Sequence, residues 1–318
     1  MSRTTRRIVG LAAVAGVALA SAALQAAVGQ EKVIRVGYQR VGAFAFLKAR
    51  GMLEERLKPL GYTVSWKDFP GGPQLLEALR VGAVDLGHSG EAPPIFAQAA
   101  GAPLLYIGHE PAAPKTEAIL VPGDSAIKTV ADLKARKIGL NKGSNVHYLL
   151  VRALERAKLK YTDVEVVFLP PADGRAAFEK GAIDAWVIWE PYRTAAEMSL
   201  GARTLVDGTG LVFNHDFFFA TRQFAEAHSH VIEVVLGAAR DVYAEVVKDI
   251  PGTAKAFSAA AGFPSSVLEI AFSRRGFGVH PISDQVIAEQ QKIADTFKDL
   301  GLIPAAIKVA DAVRKPGS

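Results

Sequence analysis

The sequence predicts an α/β fold in two lobes with a cleft between them, and three observations carry that prediction. Strand-like and helix-like segments alternate along most of the chain, as they do where strands pair largely in parallel. One unit also occurs twice: a strand ending in proline, a helix, a glycine stop and a second strand. Residues 74–85 hold the helix and glycine of the first copy and 175–184 those of the second; Gly82 is matched by Gly181 and Asp85 by Asp184, each 99 residues on. Between the copies, Pro111-Ala112-Ala113-Pro114 breaks the alternation and marks a candidate crossing from one lobe to the other.

Element by element, 33–38 is a β-branched strand and 43–57 a helix interrupted near Gly51. A strand at 64–69 precedes helix 74–80 and a short buried strand at 83–87. Pro93-Pro94 opens helix 94–100, since proline suits the first helical turn, and 104–108 is a strand. Beyond the proline break, 118–121 is a strand. Thr129 to Asp132 resembles a capping box with Asp in place of Glu. Strand 137–141, helix 146–158, strand 164–169, helix 175–180 and strand 183–188 continue the alternation. Residues 217–220 form a strand that is the candidate return crossover. The chain is mostly helical from 224 to 261 and helix-rich on to about 300, and 308–318 reads as a loose tail. One lobe then takes 31–112 and 222–318, and the other 113–221.

Half of the 318 residues are hydrophobic, ample for two cores. Residues 1–27 stand apart. Arg3, Arg6 and Arg7 precede an uncharged run rich in Ala, Val and Leu, with small residues after it. This is the pattern of a secretory signal peptide, too short and alanine-rich for a membrane anchor, and it predicts a periplasmic protein. Arg6-Arg7 leaves the twin-arginine route open beside the ordinary one. Without these three arginines, 37 basic residues become 34 against 32 acidic ones. The calculated pI near 9.3 therefore overstates the basicity of the working protein, and no basic stripe supports nucleic-acid binding. The absence of cysteine excludes disulfides, thiol chemistry, thiolate metal sites and a lipid-modified cysteine anchor.

Ligands of open α/β sheets sit at the carboxyl ends of strands. Four loops fit that place: Gln39-Arg40-Val41-Gly42, His88-Ser89-Gly90-Glu91, Asn141-Lys142-Gly143-Ser144-Asn145 and Trp189-Glu190-Pro191-Tyr192. Several lead into helices, whose free N–H groups and partial positive charge favour an anion. Gly90 and Gly143 allow close backbone approach. Gln39, Ser89, Ser144 and Asn145 add neutral donors, although Ser144 and Asn145 equally fit plain helix caps. Trp186 and Trp189 stand three apart on a strand and so face opposite sides, which assigns Trp189 to the cleft and Trp186 to the core. Phe217, Phe218 and Phe219 read as strand core, with His215 just before them a further candidate for the cleft. Glu91 and Glu190 would repel a bound anion; each can instead hold an ammonium at the far end of a zwitterion, or favour a helix dipole. Enzyme motifs are weak. Gly87 to Glu91 nearly matches a nucleophile elbow but ends in Glu, there is no phosphate-binding loop, and the seven scattered His suggest no metal site. No cofactor is expected.

The stretches Phe69-Pro70-Gly71-Gly72-Pro73-Gln74, Gly90-Glu91-Ala92-Pro93-Pro94, Leu140-Asn141-Lys142-Gly143-Ser144-Asn145-Val146-His147 and Trp186-Val187-Ile188-Trp189-Glu190-Pro191-Tyr192, with Arg275-Gly276-Phe277-Gly278-Val279 further on, resemble the periplasmic aliphatic sulfonate- and taurine-binding proteins of ABC importers. That wider family also holds nitrate- and bicarbonate-binding members. Family members often carry Asp where Glu190 stands, a difference that would reshape the tail end of the cleft. The resemblance implies a type II periplasmic binding protein fold with two crossover strands. The sulfonate head would lie on the backbone around Ser89-Gly90 and Gly143-Ser144, helped by Gln39 and Asn145, and Trp189 would pack on the carbon tail. A monomer would deliver the ligand to a membrane permease for sulfur acquisition. Another small anion such as nitrate or a sulfate ester is the alternative cargo. A thiamine-pyrimidine synthase on the same fold is the enzyme alternative, disfavoured by the missing cysteines and the export signal. A ligand sensor for a membrane receptor fits the sequence as well as a transport protein does.

Overall fold

In the computed structural model, which describes residues 32–314, the chain forms two five-stranded sheets. It begins β1 (Lys32–Tyr38), α1 (Ala43–Arg50), α2 (Met52–Leu57), β2 (Tyr62–Asp68), α3 (Gly72–Arg80), β3 (Leu86–Gly90), α4 (Pro93–Ala99) and β4 (Leu104–His109). It then crosses to β5 (Glu117–Val121), β6 (Lys137–Leu140), α5 (Asn145–Arg156), β7 (Glu165–Phe168), α6 (Pro171–Glu179), β8 (Ala185–Trp189), α7 (Tyr192–Ser199) and β9 (Arg203–Asp207). The chain returns through β10 (Asp216–Thr221) and closes with α8 (Arg222–Ala227), α9 (Ser229–Lys248), α10 (Ile250–Ala261), α11 (Ser265–Ser273) and α12 (Asp284–Asp299). The signal peptide read over 1–27 lies outside the described residues.

The strand orders are β2-β1-β3-β10-β4 and β7-β6-β8-β5-β9. In each, the fourth strand runs antiparallel to its neighbours, β10 in the first sheet and β5 in the second. These are the two strands that meet the crossovers, and the topology is that of a type II binding protein. β10 falls inside the span 113–221 that the sequence assigned to the second lobe. Its pairing with β3 and β4 places it in the first sheet.

The sequence repeat is realised in three dimensions. α3 spans 72–80 and α6 spans 171–179, and β3 at 86–90 answers β8 at 185–189, all 99 residues apart. Gly82 and Gly181 stop the two helices at φ of +70° and +67°, which glycine adopts without the Cβ clash. The paired aspartates do the same job twice. Asp85 accepts the backbone N–H of Arg35 within β1, and Asp184 that of Lys137 at the start of β6, each at 2.8 Å.

β3 begins three residues later than the sequence suggests, because β10 pairs with it from Leu86 to Gly90 and extends the ladder into the supposed loop. β9 went unread: every residue in it is only half-buried, so it lacks the apolar alternation of a strand. The tail is not loose as far as it is described, since Val309 and Ala312 are buried.

One face of the first sheet packs on α1, α2 and the α9–α11 helices through Phe46, Phe257 and Phe272. The other face packs on α3, α4 and α12, in a core that continues into the second sheet. Phe297 of α12 sits between the halves, 5.0 Å from the Phe96 ring and 5.8 Å from that of Tyr148.

Candidate functional site

A cleft opens between the two sheets at the carboxyl ends of their strands. From the first half come Gln39 after β1, Gly72 at the start of α3, and Gly90 at the end of β3; from the second come Asn145 at the start of α5, Trp189 at the end of β8, and Tyr192 at the start of α7. Three helices of eight residues or more thus begin at the cleft wall, their free N–H groups at its edge. Pro93 opens a fourth, shorter helix at the same wall.

Close approach fixes the residue types. A Cβ on Gly90 would stand 3.1 Å from the Asn145 side chain, so glycine lets the two halves meet there. A Cβ on Gly71 would lie 2.8 Å from Asn141 Nδ2, 3.1 Å from Gln74 Oε1 and 3.6 Å from the Trp189 ring. Asn141 Nδ2 and Gln74 Oε1 are both buried without a hydrogen-bond partner in the protein, a costly state that a polar ligand would relieve. Trp189 meets Tyr192 edge-on, ring centroids 6.4 Å apart, whereas Trp186 is 1 % exposed and packs at a tilt against Phe178 in the core.

Amides tie the cleft to the crossovers. Asn145 Nδ2 donates to Glu117 Oε2 at 2.5 Å and to Asn214 Oδ1 at 3.1 Å. Asn214 Nδ2 donates in turn to the Ala113 carbonyl and to Thr116 Oγ1, at 3.1 and 2.9 Å. Asn214 has φ +53°, a left-handed conformation that Asn tolerates better than most residues.

Behind the cleft, Glu110 is the hub of a buried ion-pair network. His88 Nε2 approaches its Oε1 at 2.5 Å, Tyr243 Oη donates to the same oxygen, and Arg275 Nη2 donates to Oε2 at 2.6 Å. Arg275 also donates to Asp216. Burial would raise the Glu110 carboxyl, but Arg275 and His88 outweigh it and hold the group at about 2. His88, Glu110 and Asp216 are the one trio of metal-ligand type among the described residues. The Arg275 guanidinium already bridges the two carboxylates, so this is ion-pair chemistry rather than a cation site.

The structure separates the residues that the sequence proposed. Gln39, Gly90, Asn145, Trp189 and Glu190 line the cleft. Ser89 is buried behind its wall, its hydroxyl on the Gly90 carbonyl at 3.3 Å. Lys142, Gly143, Ser144, Glu91 and His215 are not among the lining residues. The Lys142 ammonium sits over the Phe168 ring. Gly143 faces the Phe96 ring, and its N–H donates to His147 Nδ1 at 3.3 Å. Ser144 is the N-cap residue of α5, yet its hydroxyl donates to the Asn141 carbonyl and caps nothing. His215 Nδ1 donates to the Glu110 carbonyl at 2.8 Å. Glu91 is buried and accepts from the His215 N–H at 3.2 Å, and burial pushes its carboxyl up to about 8. Glu190 follows the helix-dipole reading: its Oε2 accepts the Thr194 N–H in the first turn of α7 at 3.1 Å. Sequence reasoning missed Arg275, Asn214, Asp216 and Gln74. Arg275 and Gln74 stand inside motifs already singled out. Asn214 and Asp216 flank His215 and carry no local signal.

The family model described as "NMT1/THI5 like" matches residues 68–252, more than half of the chain. The aliphatic sulfonates-binding protein of Escherichia coli K12 is 41% identical over 313 residues, covering 98% of this chain and 97% of that protein. Among solved structures, the alkanesulfonate-binding protein SsuA of Xanthomonas axonopodis pv. citri, bound to MOPS, superposes with a TM-score of 0.86 at 41% identity, over 90% of this chain and 99% of that one. The periplasmic aliphatic sulphonate binding protein SsuA of Escherichia coli does so with a TM-score of 0.83, also at 41% identity, over 91% of this chain and 94% of that one.

Proposed function

Because the chain belongs to the NMT1/THI5-like family and, within it, to the aliphatic sulfonate-binding proteins, we propose that it captures an aliphatic sulfonate in the cleft between its two sheets. It is a binding protein and not an enzyme, as its full-length relatives are. The protein works in the periplasm after export, as a monomer, and hands its ligand to an ABC permease. The halves built on the two sheets are the lobes, joined at the crossovers before β5 and before β10.

The observation that carries this reading is the convergence of helix N-termini on one cleft. A sulfonate has three acceptor oxygens and stays ionised near neutral pH. Donors from α3 and α5 meet it without a dedicated free cation, while the first turn of α7 is already taken by the Glu190 carboxylate. Gln39, whose Nε2 gives one N–H to the His88 carbonyl and keeps the other, and the unpartnered Nδ2 of Asn141 add neutral donors of the same kind. Trp189 and Tyr192 offer an apolar wall for the carbon tail.

A thermal-shift and calorimetry panel tests the reading with taurine, linear alkanesulfonates, HEPES, nitrate, sulfate and a thiamine-pyrimidine precursor. Stabilisation by one or more sulfonates is expected, by about 2.7 kcal/mol at a hundredfold excess over Kd. A response confined to nitrate, sulfate or the pyrimidine would overturn the sulfonate assignment.

The tail wall gives a second expectation. Trp189→Ala should weaken butanesulfonate by about tenfold or more relative to methanesulfonate, since each buried methylene contributes about 0.8 kcal/mol. Equal losses for both ligands, measured by calorimetry, would remove Trp189 from the tail wall.

A further inference from the structure

Glu190 lines the cleft, but its carboxylate is held from the opposite half of the molecule. Arg274, at the end of α11, packs with the first sheet: its neighbours Leu268, Ala271 and Phe272 belong to that core. Its guanidinium reaches across to the second half. Nη1 donates to Glu190 Oε1 at 2.6 Å and to Thr194 Oγ1 at 3.0 Å, and Nη2 donates to Glu197 Oε2 at 2.9 Å. α11 packs against α7 at the same place, and the Phe263 ring, just before α11, meets Tyr192 edge-on at 5.2 Å.

This contact is more than a surface ion pair. The Glu190 side chain is 6 % exposed, that of Glu197 20 % and that of Arg274 24 %. The network also continues past the grip. Glu197 Oε1 accepts from Arg193 Nε at 3.1 Å and from Thr204 Oγ1 at 2.7 Å. Arg193 reaches on to the Lys115 carbonyl, in the crossover into β5. One residue later, the Thr116 carbonyl accepts the Glu190 N–H at 2.8 Å. Two arginines and two glutamates are thus mutually compensated, and Arg274 is the member contributed by the other half. If the halves part, Arg274 leaves and Glu190 keeps only the Thr194 contacts for a nearly buried charge.

We infer that Arg274 is the latch of lobe closure, a positioning residue that holds Glu190 in the cleft wall when the halves meet and releases it when they part. The inference rests on the binding reading above and adds the element that sets how long the closed state lasts. Glu190 belongs at once to the ligand wall, to the first turn of α7 and to the latch. A ligand that seats against this wall therefore favours the same arrangement that Arg274 favours, which is the differential contact a population shift requires.

The test uses the natural absence of cysteine. Glu55→Cys on α2 and Glu179→Cys on α6, both exposed, carry a donor and an acceptor dye on opposite halves. Arg274→Gln and Arg274→Lys are made in this background and in the unlabelled chain, and ethanesulfonate is the probe for stopped-flow Trp fluorescence. Arg274→Gln should raise koff about tenfold and leave kon within about twofold, a coupling of ordinary size for linked equilibria. It should also lengthen the mean dye distance in the ligand-free chain, and Arg274→Lys should fall between. An unchanged dye distance would overturn the latch whatever happens to koff, because the residue would then act on the ligand alone. An unchanged koff in a variant that binds would overturn it as well. If the wild-type chain binds no sulfonate, the binding reading fails, while the dye distance in the ligand-free Arg274→Gln variant still decides the latch.

Discussion

Glu110→Ala is expected to destabilise the protein by about 3–5 kcal/mol, the usual cost of removing one partner from a buried charge network. Glu110 is 2 % exposed, and three groups converge on it: His88 on Oε1, Tyr243 on the same oxygen and Arg275 on Oε2. Truncation leaves Tyr243 without its acceptor and leaves the largely buried Arg275 with Asp216 as its remaining carboxylate. These three partners come from β3, α9 and the segment after α11, so the loss falls on the junction of the first sheet with its C-terminal helices. His88 and Arg275 also line the cleft, and ligand affinity should fall with stability. Glu110→Gln, which keeps the shape and loses the charge, should cost less than Ala. Urea unfolding of the three proteins settles the matter; a loss below about 1 kcal/mol for Ala would mean that Asp216 and water replace Glu110 with little penalty. The acid side of the stability profile follows from the same residue. Its carboxyl lies at about 2 in the fold against an ordinary 4.5, so its contribution is complete above pH 4.5 and disappears as pH falls from there through about 2.

The repeat was the most legible feature of the sequence because each of its parts has a local cause. A proline stops a strand, an amphipathic run makes a helix, a left-handed glycine ends it, and an aspartate caps the neighbouring strand. All four can be read from Pro70 to Asp85 in the first copy and from Pro170 to Asp184 in the second. The loops at the strand ends were legible for the same reason, and Gln39, Gly90, Asn145 and Trp189 do border the cleft. What escaped the sequence is everything set by pairing across long separations. The direction of β10 depends on strands over a hundred residues earlier, and its pairing turned the His88–Gly90 loop into strand. Gly143 looked like a ligand contact because glycine invites close approach; here the approaching group is the Phe96 ring. Glu190 reads in the sequence as a partner for an ammonium or for a helix dipole; its ion pair with Arg274 escapes because that residue lies 84 positions away. Local chemistry marks where a site can be, and distant side chains decide which of its members remain free to meet a ligand.

The second large effect is one of pH. Glu91→Gln is expected to stabilise the protein at pH 8.5 and to leave it unchanged near pH 4. Burial pushes the Glu91 carboxyl to about 8, against an ordinary 4.5; Asp216 and Glu289 add to this, while the N–H groups of His215 and Asn214 partly oppose it. Between those values the folded protein keeps a proton that the unfolded chain has released. Stability from this group is therefore complete below about pH 4.5 and is lost as pH rises through about 8. The loss is on the order of a few kcal/mol, since each pKa unit corresponds to about 1.4 kcal/mol. Glu117 shifts in the same direction, first through its own burial and then through the charge on Glu91. Each acid has one oxygen with no hydrogen-bond partner in the protein, so little in the fold favours its ionised form. Glutamine has the shape of the protonated carboxyl and still offers an oxygen to the His215 N–H. The variant should flatten the decline between pH 5 and 9 without abolishing it, because Glu117 remains. Thermal unfolding across that range checks the expectation; variant and wild-type curves that ran parallel would show that Glu91 is ionised in the fold. Glu110 acts below about pH 4.5 and Glu91 above it, with opposite signs, so these two groups together place the stability optimum on the acid side of pH 7.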